Sequence, residues 1–265
     1  MSRITLSHLK KMKARHEKIA MLTGYDATFS KLLSDAGLDV ILVGDTLGMT
    51  IGGHSTTVPV TLQDMIYHTQ NVCRAQPKSL IIVDMPYMSY ANPDIAIENA
   101  ARLMQAGGEL IKLEGGVWLK STIEKLTERG IPICAHLGLT PQSIHMIGGY
   151  KVQGRETQKA KELLETALSH QASGAQMLIL ECVPWQLSQE ITQTLDIPVI
   201  GIGAGPHCDG QVLVTYDMLG MTPGKPFTFV KNFLLEQTQG ISAAVKDYIR
   251  AVKTGTFPTL EHSFS

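Results

Sequence analysis

Residues 177–184 read MLILECVP, an unbroken apolar run that ends on a carboxylate, Glu181. Consecutive apolar residues without polar alternation suit a strand covered on both faces, as in a parallel sheet flanked by helices. A glutamate closing such a strand needs a partner, a proton or a task, because burying an unpaired charge is costly. The pattern recurs. IAMLTG (19–24), VILVGD (40–45), LIIVDMP (80–86), LIKLEGG (110–116), IPICAHLG (131–138), IPVIGIGAG (197–205) and QVLVTYDML (211–219) bring the β-type segments to eight.

Helical patterns lie between them. ANPDIAIENAARLMQAGG (91–108) has Pro93 near its start, apolar residues at three-to-four spacing, and Gly107 and Gly108 at its end. KAKELLETALSHQASGA (159–175) and SKLLSDAGLD (30–39) also stop on a glycine before the next strand. Eight strands mostly separated by helices predict a (β/α)8 TIM barrel, with an open doubly wound sheet as the alternative. No Pro/Ser-rich linker divides the chain, so residues 1–265 read as a single domain. The stretch 227–255 reads as two further amphipathic C-terminal helices.

Composition narrows the function. The chain is 44% hydrophobic and 18% charged, with a formal charge of −1, which offers no basic field for nucleic acid or anionic lipid. No apolar run approaches the roughly 20 residues that span a bilayer. The basic opening MSRITLSHLKKMKARHEK lacks the apolar core of a signal peptide and predicts a solvated helix. Cys73, Cys134, Cys182 and Cys208 form no metal-type spacing and read as reduced thiols, three of them in or beside apolar strands. These features predict a soluble, cytoplasmic protein acting on small molecules.

Acids sit repeatedly at the C-terminal ends of the predicted strands: Asp45, Asp84, Glu114 and Glu181, with Lys112 two residues before Glu114 and therefore on its face. That end is where barrel active sites are built. A single such acid is as readily a helix cap, but four acids and a lysine converging from four strands predict a site. Several carboxylates without a Cys/His set favour a hard cation, Mg2+ above all. Such an ion chelated by a 2-oxo acid stabilises an enolate, and a carboxylate off the metal in an apolar setting serves as the base. Glu181, on the most apolar strand, is the candidate base, and Lys112 the candidate partner of the substrate carboxylate. His136 reads as a wall residue, the glycines of GIGAG (201–205) as close packing, and the pattern-poor 136–156 as a lid or binding loop.

The strings VGDTLGMTIGGHSTTVPVT, KLEGG, CAHLGLTPQS, GGYKVQGR, LECVP, IPVIGIGAG and the terminal EHSF are similar to those of the ketopantoate hydroxymethyltransferase family, from about residue 3 onward. The resemblance implies a barrel of the phosphoenolpyruvate/pyruvate type assembled as a homodecamer. It also implies transfer of a hydroxymethyl group from 5,10-methylenetetrahydrofolate to 3-methyl-2-oxobutanoate, on the route to pantothenate and coenzyme A. Carried onto the matching motifs, Asp45 and Asp84 bind Mg2+ and contact the oxo acid, and Glu114 completes the metal site. Lys112 then binds the substrate carboxylate and Glu181 accepts the proton. The family's GDS motif is Gly44-Asp45-Thr46 here; threonine keeps the hydroxyl that contacts the oxo acid and adds a methyl group. Two alternatives are a Mg-dependent lyase or mutase of the isocitrate lyase/phosphonopyruvate type, and a barrel that binds an oxo acid or folate without turnover.

Overall fold

A computed structural model describes residues 3–235 and 237–265. All eight predicted strands form: β1 (Ile19–Thr23), β2 (Val40–Val43), β3 (Leu80–Asp84), β4 (Leu110–Glu114), β5 (Ile133–Gly138), β6 (Met177–Glu181), β7 (Val199–Ile202) and β8 (Gly210–Leu213). Each pairs in parallel with its sequence neighbours, and β8 returns to β1, which closes the barrel. The open-sheet alternative is excluded.

The strands are apolar on both faces because both are covered. Outward residues such as Leu22, Ile41, Ile81 and Leu180 pack beneath the surrounding helices. Inward residues, among them Met21, Val40, Ile82, Leu110, Cys134 and Met177, fill the lower barrel as a separate core. Leu9, from the N-terminal helix Leu6–Ala14, is fully buried in that inner core. The sequence predicts a solvated helix; Lys10 and Lys11 are exposed, but Lys13 pairs with Asp209 at 2.7 Å and Leu9 closes the barrel floor.

The helices begin and end where the sequence signals them. Asn92 caps Pro93–Gln105 by accepting from the Ile95 N–H, with the proline at the first turn, where its missing N–H is harmless. Asp26 caps Ala27–Asp35 by accepting from the Phe29 N–H. Two expectations are revised. The segment 211–219 is strand only to Leu213; the Thr215 N–H then donates to Thr23 Oγ1, and Thr215–Met218 turns into a short helix. The tail forms one long helix, Ile241–Thr254, rather than two. In the stretch before it, Asn232 Oδ1 accepts from the Leu234 and Leu235 N–H groups, a local turn that competes with helix. Phe233 leaves that turn to pack against Tyr248 and Phe257.

Cys134, Cys182 and Cys208 are buried, Cys73 is partly buried, and all four are free thiols. Gly205 of GIGAG lies in the left-handed region at φ 81°, and a Cβ there would stand 2.3 Å from Trp185 Cβ, in keeping with a packing role.

Truncating Leu9 to Ala opens a cavity in the barrel floor, and losses for such buried leucines run about 2–5 kcal/mol. Urea denaturation of Leu9→Ala should show a loss in that range; a change under about 1 kcal/mol would mean that the helix is not part of the inner core.

Candidate active site

The inward face of the strands changes character toward the C-terminal ends. On β3, Leu80 and Ile82 are followed by Asp84; on β4, Leu110 by Lys112 and Glu114; on β5, Cys134 by His136; on β6, Met177 and Ile179 by Glu181. Period-two alternation places these polar residues above the apolar layers. Asp45 and Thr46 follow β2, beyond Gly44, and join them. All six sequence-predicted site residues line one small mouth cavity of about 50 Å³, together with His136. Larger hollows occur on the outside, one of about 760 Å³ beside Lys31 and Asp35, but the inward-facing ionisable groups converge at the mouth.

Lys112 Nζ lies 2.8 Å from Asp84 Oδ1 and 3.9 Å from Glu114 Oε2. The Asp45 backbone N–H donates to Asp84 Oδ2 at 3.1 Å, tying the end of β2 to β3. His136 stands between two acids, with Nδ1 3.2 Å from Glu114 Oε2 and Nε2 3.4 Å from Glu181 Oε2. Those contacts are poorly directed, and Glu114 Oε2 and both ring nitrogens are left without a formed hydrogen bond. Thr46 Oγ1 pairs with the buried Tyr25 hydroxyl at 2.8 Å.

Backbone geometry fixes Glu181. Its carbonyl oxygen accepts from the Leu139 N–H at 2.8 Å. Gly138, at φ 95°, permits this approach, since a Cβ there would stand 2.2 Å from that same oxygen. Cys182 then takes a left-handed φ of 48° as the chain leaves the barrel.

The electrostatics follow from four carboxyls facing one ammonium in a buried place. Burial, then the neighbouring Glu114, pushes the Glu181 carboxyl up to about 8. Burial raises Glu114 to about 7 against the pull of Lys112. Asp45 is raised well above the carboxylate range by burial and by Asp84 and Glu114. Burial pulls Lys112 down, but Asp84, Glu114 and Asp45 outweigh it and hold its ammonium above the usual lysine value. His136 is driven well below its ordinary value by burial and by Lys112, so its imidazole is neutral.

The sequence reading did not assign Gln142, Tyr90 or Tyr25 to the site, and it left His136 on the wall rather than between two acids. His136 shares inward parity with Cys134, a signal that was available. Gln142 reaches the site from the loop after β5, where no periodicity places a side chain.

A sequence model of the ketopantoate hydroxymethyltransferase family matches residues 3–260. The chain belongs to that family. It is 57% identical over 265 residues, all of both chains, to 3-methyl-2-oxobutanoate hydroxymethyltransferase of Nitrosococcus oceani. It is 54% identical, again over the whole of both chains, to the enzyme of that name from Shewanella loihica. Among solved structures, phosphoenolpyruvate phosphomutase of Streptomyces platensis superposes with a TM-score of 0.62 at 14% identity, covering 81% of this chain and 82% of its own. Phosphonopyruvate hydrolase, solved with oxalate and Mg2+, gives 0.62 at 10% identity and 81% coverage of both chains. At such identities these structures share the barrel fold alone, and the lyase or mutase alternative has no further support. Among the described residues, no helix is long and apolar enough to cross a membrane.

A carboxyl with a raised folded value carries its proton in the folded state after the unfolded chain has lost it. Stability therefore falls as pH rises from the ordinary glutamate value of 4.5 through about 8. The clustered carboxyls share protons, so only about 1 kcal/mol, or about 2–4 °C in Tm, is assigned to Glu181. Metal-free Glu181→Gln should melt higher than wild type by that amount at pH 8.5, with the gap closing by pH 5. A variant that melts lower at pH 8.5 would show that Glu181 is not held against its charge.

Proposed function

We propose that this chain transfers a hydroxymethyl group from 5,10-methylenetetrahydrofolate to 3-methyl-2-oxobutanoate, forming 2-dehydropantoate for pantothenate and coenzyme A synthesis. Full-length identity to enzymes named for this reaction supports the assignment. One observation in the site carries the chemistry: Glu181, with its pKa raised to about 8, shares a cavity with Lys112, Asp45 and Asp84.

The donor set fits a hard divalent cation. The oxygens are carboxylates, and Glu114 Oε2 is buried without a hydrogen bond. No three acidic, His or Cys side chains among the described residues close around one point. Mg2+ does not require that, since it commonly takes one or two carboxylates and completes its shell with water and substrate. Asp45 and Asp84 would hold it, with Glu114 completing the site through water. When bound, the ion supplies Lewis-acid polarisation of the substrate's keto oxygen.

The protein side chains divide the remaining work. Lys112 offers the substrate carboxylate the donors of its ammonium not engaged by Asp84. Thr46, backed by Tyr25, contacts the oxo acid. Glu181 takes the proton from C3, and the electron pair left behind forms the bond to the folate's one-carbon unit as one of that carbon's two C–N bonds breaks. Water then replaces the second nitrogen on that carbon to give the hydroxyl, and tetrahydrofolate leaves with one proton from C3 and one from water on its two nitrogens. A base matched to neutral pH is suited to this transfer. The single-domain organisation, the decamer and a cytoplasmic setting belong to the same reading.

Proton NMR in D2O separates the parts of this proposal. With Mg2+ and the oxo acid alone, the protein should exchange the C3 proton for deuterium, and Glu181→Gln should slow that exchange by about 10²–10⁴-fold, the usual worth of a positioned base. Adding 5,10-methylenetetrahydrofolate should give hydroxymethyl product. Equal exchange in both proteins would reject Glu181 as the base; no product from folded, metal-loaded protein would reject the transferase.

A further inference from the structure

Gln142 is 6% exposed and makes four polar contacts at the mouth. Its backbone N–H donates to Glu114 Oε1 at 2.6 Å. Its side-chain Nε2 donates to Asp45 Oδ2 at 2.8 Å and to the Met85 carbonyl at 2.9 Å. The Tyr90 hydroxyl lies 2.6 Å from Gln142 Oε1 and 3.0 Å from the Glu114 carbonyl oxygen, and shares its one proton between them. One residue therefore contacts carboxylates presented by two different strands.

The amide can point only one way. A backbone carbonyl accepts and cannot donate, so the NH2 end must face Met85, and with it Asp45 beside it. Tyr90 supplies the matching donor for the oxygen end, and Tyr90 is itself held by the stacked ring of Trp118, 6.0 Å away. Turning the amide over would set its oxygen against the Met85 carbonyl and its NH2 against the Tyr90 hydroxyl in a buried place, where unmade hydrogen bonds are expensive.

We propose that Gln142 is the positioning residue for the metal-side carboxylates: its side chain aims Asp45, its main chain aims Glu114, and Tyr90 sets the direction of the amide. The inference rests on the cation reading above. It assigns a role to the loop after β5, which supplies hydrogen bonds to two carboxyls that the strands contact but do not hydrogen-bond. Hydrogen-bonded partners of this kind commonly carry 10–100-fold in metal affinity.

The test is metal binding without substrate. Mn2+ binding is followed by electron paramagnetic resonance, with Mg2+ as competitor, for the full-length protein, Gln142→Met and Tyr90→Phe. Methionine keeps the length and removes the amide donor; phenylalanine keeps the ring and removes only the hydroxyl. Gln142→Met should weaken Mg2+ about 10–100-fold and alter the bound Mn2+ line shape, which a general loss of packing at unchanged ligand geometry would not do. Tyr90→Phe should shift both in the same direction by less. If Gln142→Met does not fold, Tyr90→Phe decides alone. Affinity within twofold of wild type and an unchanged spectrum in the folded variants would overturn the role of Gln142. No Mn2+ bound by the wild-type protein would instead overturn the cation reading, and this inference with it.

Discussion

The structure turns on an imbalance of charge. Asp45, Asp84, Glu114 and Glu181 meet at the barrel mouth with Lys112 as the single lysine among them, and all but Glu181 are almost fully buried. A protein interior does not tolerate several unpaired carboxylates, so the cluster must hold protons, bind a cation, or both. The raised values of Glu181, Glu114 and Asp45 are the proton half of that statement. Glu114 Oε2, buried without a formed hydrogen bond, is where the proposed cation would bear on the cluster. The same repulsion that weakens the fold in alkaline solution is what the divalent ion proposed above would relieve.

Such a cluster needs a rigid support, and the barrel provides it in two layers. Below, the inward side chains and Leu9 form an apolar core. Above, the same alternation lifts Asp84, Lys112, Glu114, His136 and Glu181 to the mouth. The strands fix the height of these residues, while the connections after them fix their direction. The Asp45 N–H on Asp84, the Gly138 turn against the Glu181 carbonyl, and Gln142 between Asp45 and Glu114 all come from the residues at or after strand ends. Stability and chemistry thus occupy opposite ends of one set of strands, as is general for this architecture.

How much of this was legible in the sequence follows from the range of each signal. Strand burial and parity are local, so all eight strands and the grouping of Lys112 with Glu114 could be read from neighbours two residues apart. The strand-end acids stood out because each interrupts an apolar run. Gln142 could not be read in the same way: it meets Asp45 across 97 positions, from a loop without periodicity. His136 was visible as a residue but not as a bridge, because that depends on the register that sets it beside Glu114 and on the tilt that brings Glu181 to its other side. The missing tail helix has a local cause in Asn232, outweighed in the sequence reading by the apolar pattern of the phenylalanines. The family strings supplied the substrates, which no residue spacing encodes.

The carboxyls at the mouth hold protons that a bound divalent cation would displace. Calorimetric titration of Mg2+ into the metal-free protein near pH 7, repeated in buffers of different ionisation enthalpy, counts the protons that leave when the ion enters. Binding with net proton release is the predicted result, reduced when Glu181 is replaced by Gln. Binding with no proton release, or no binding at all, would contradict it.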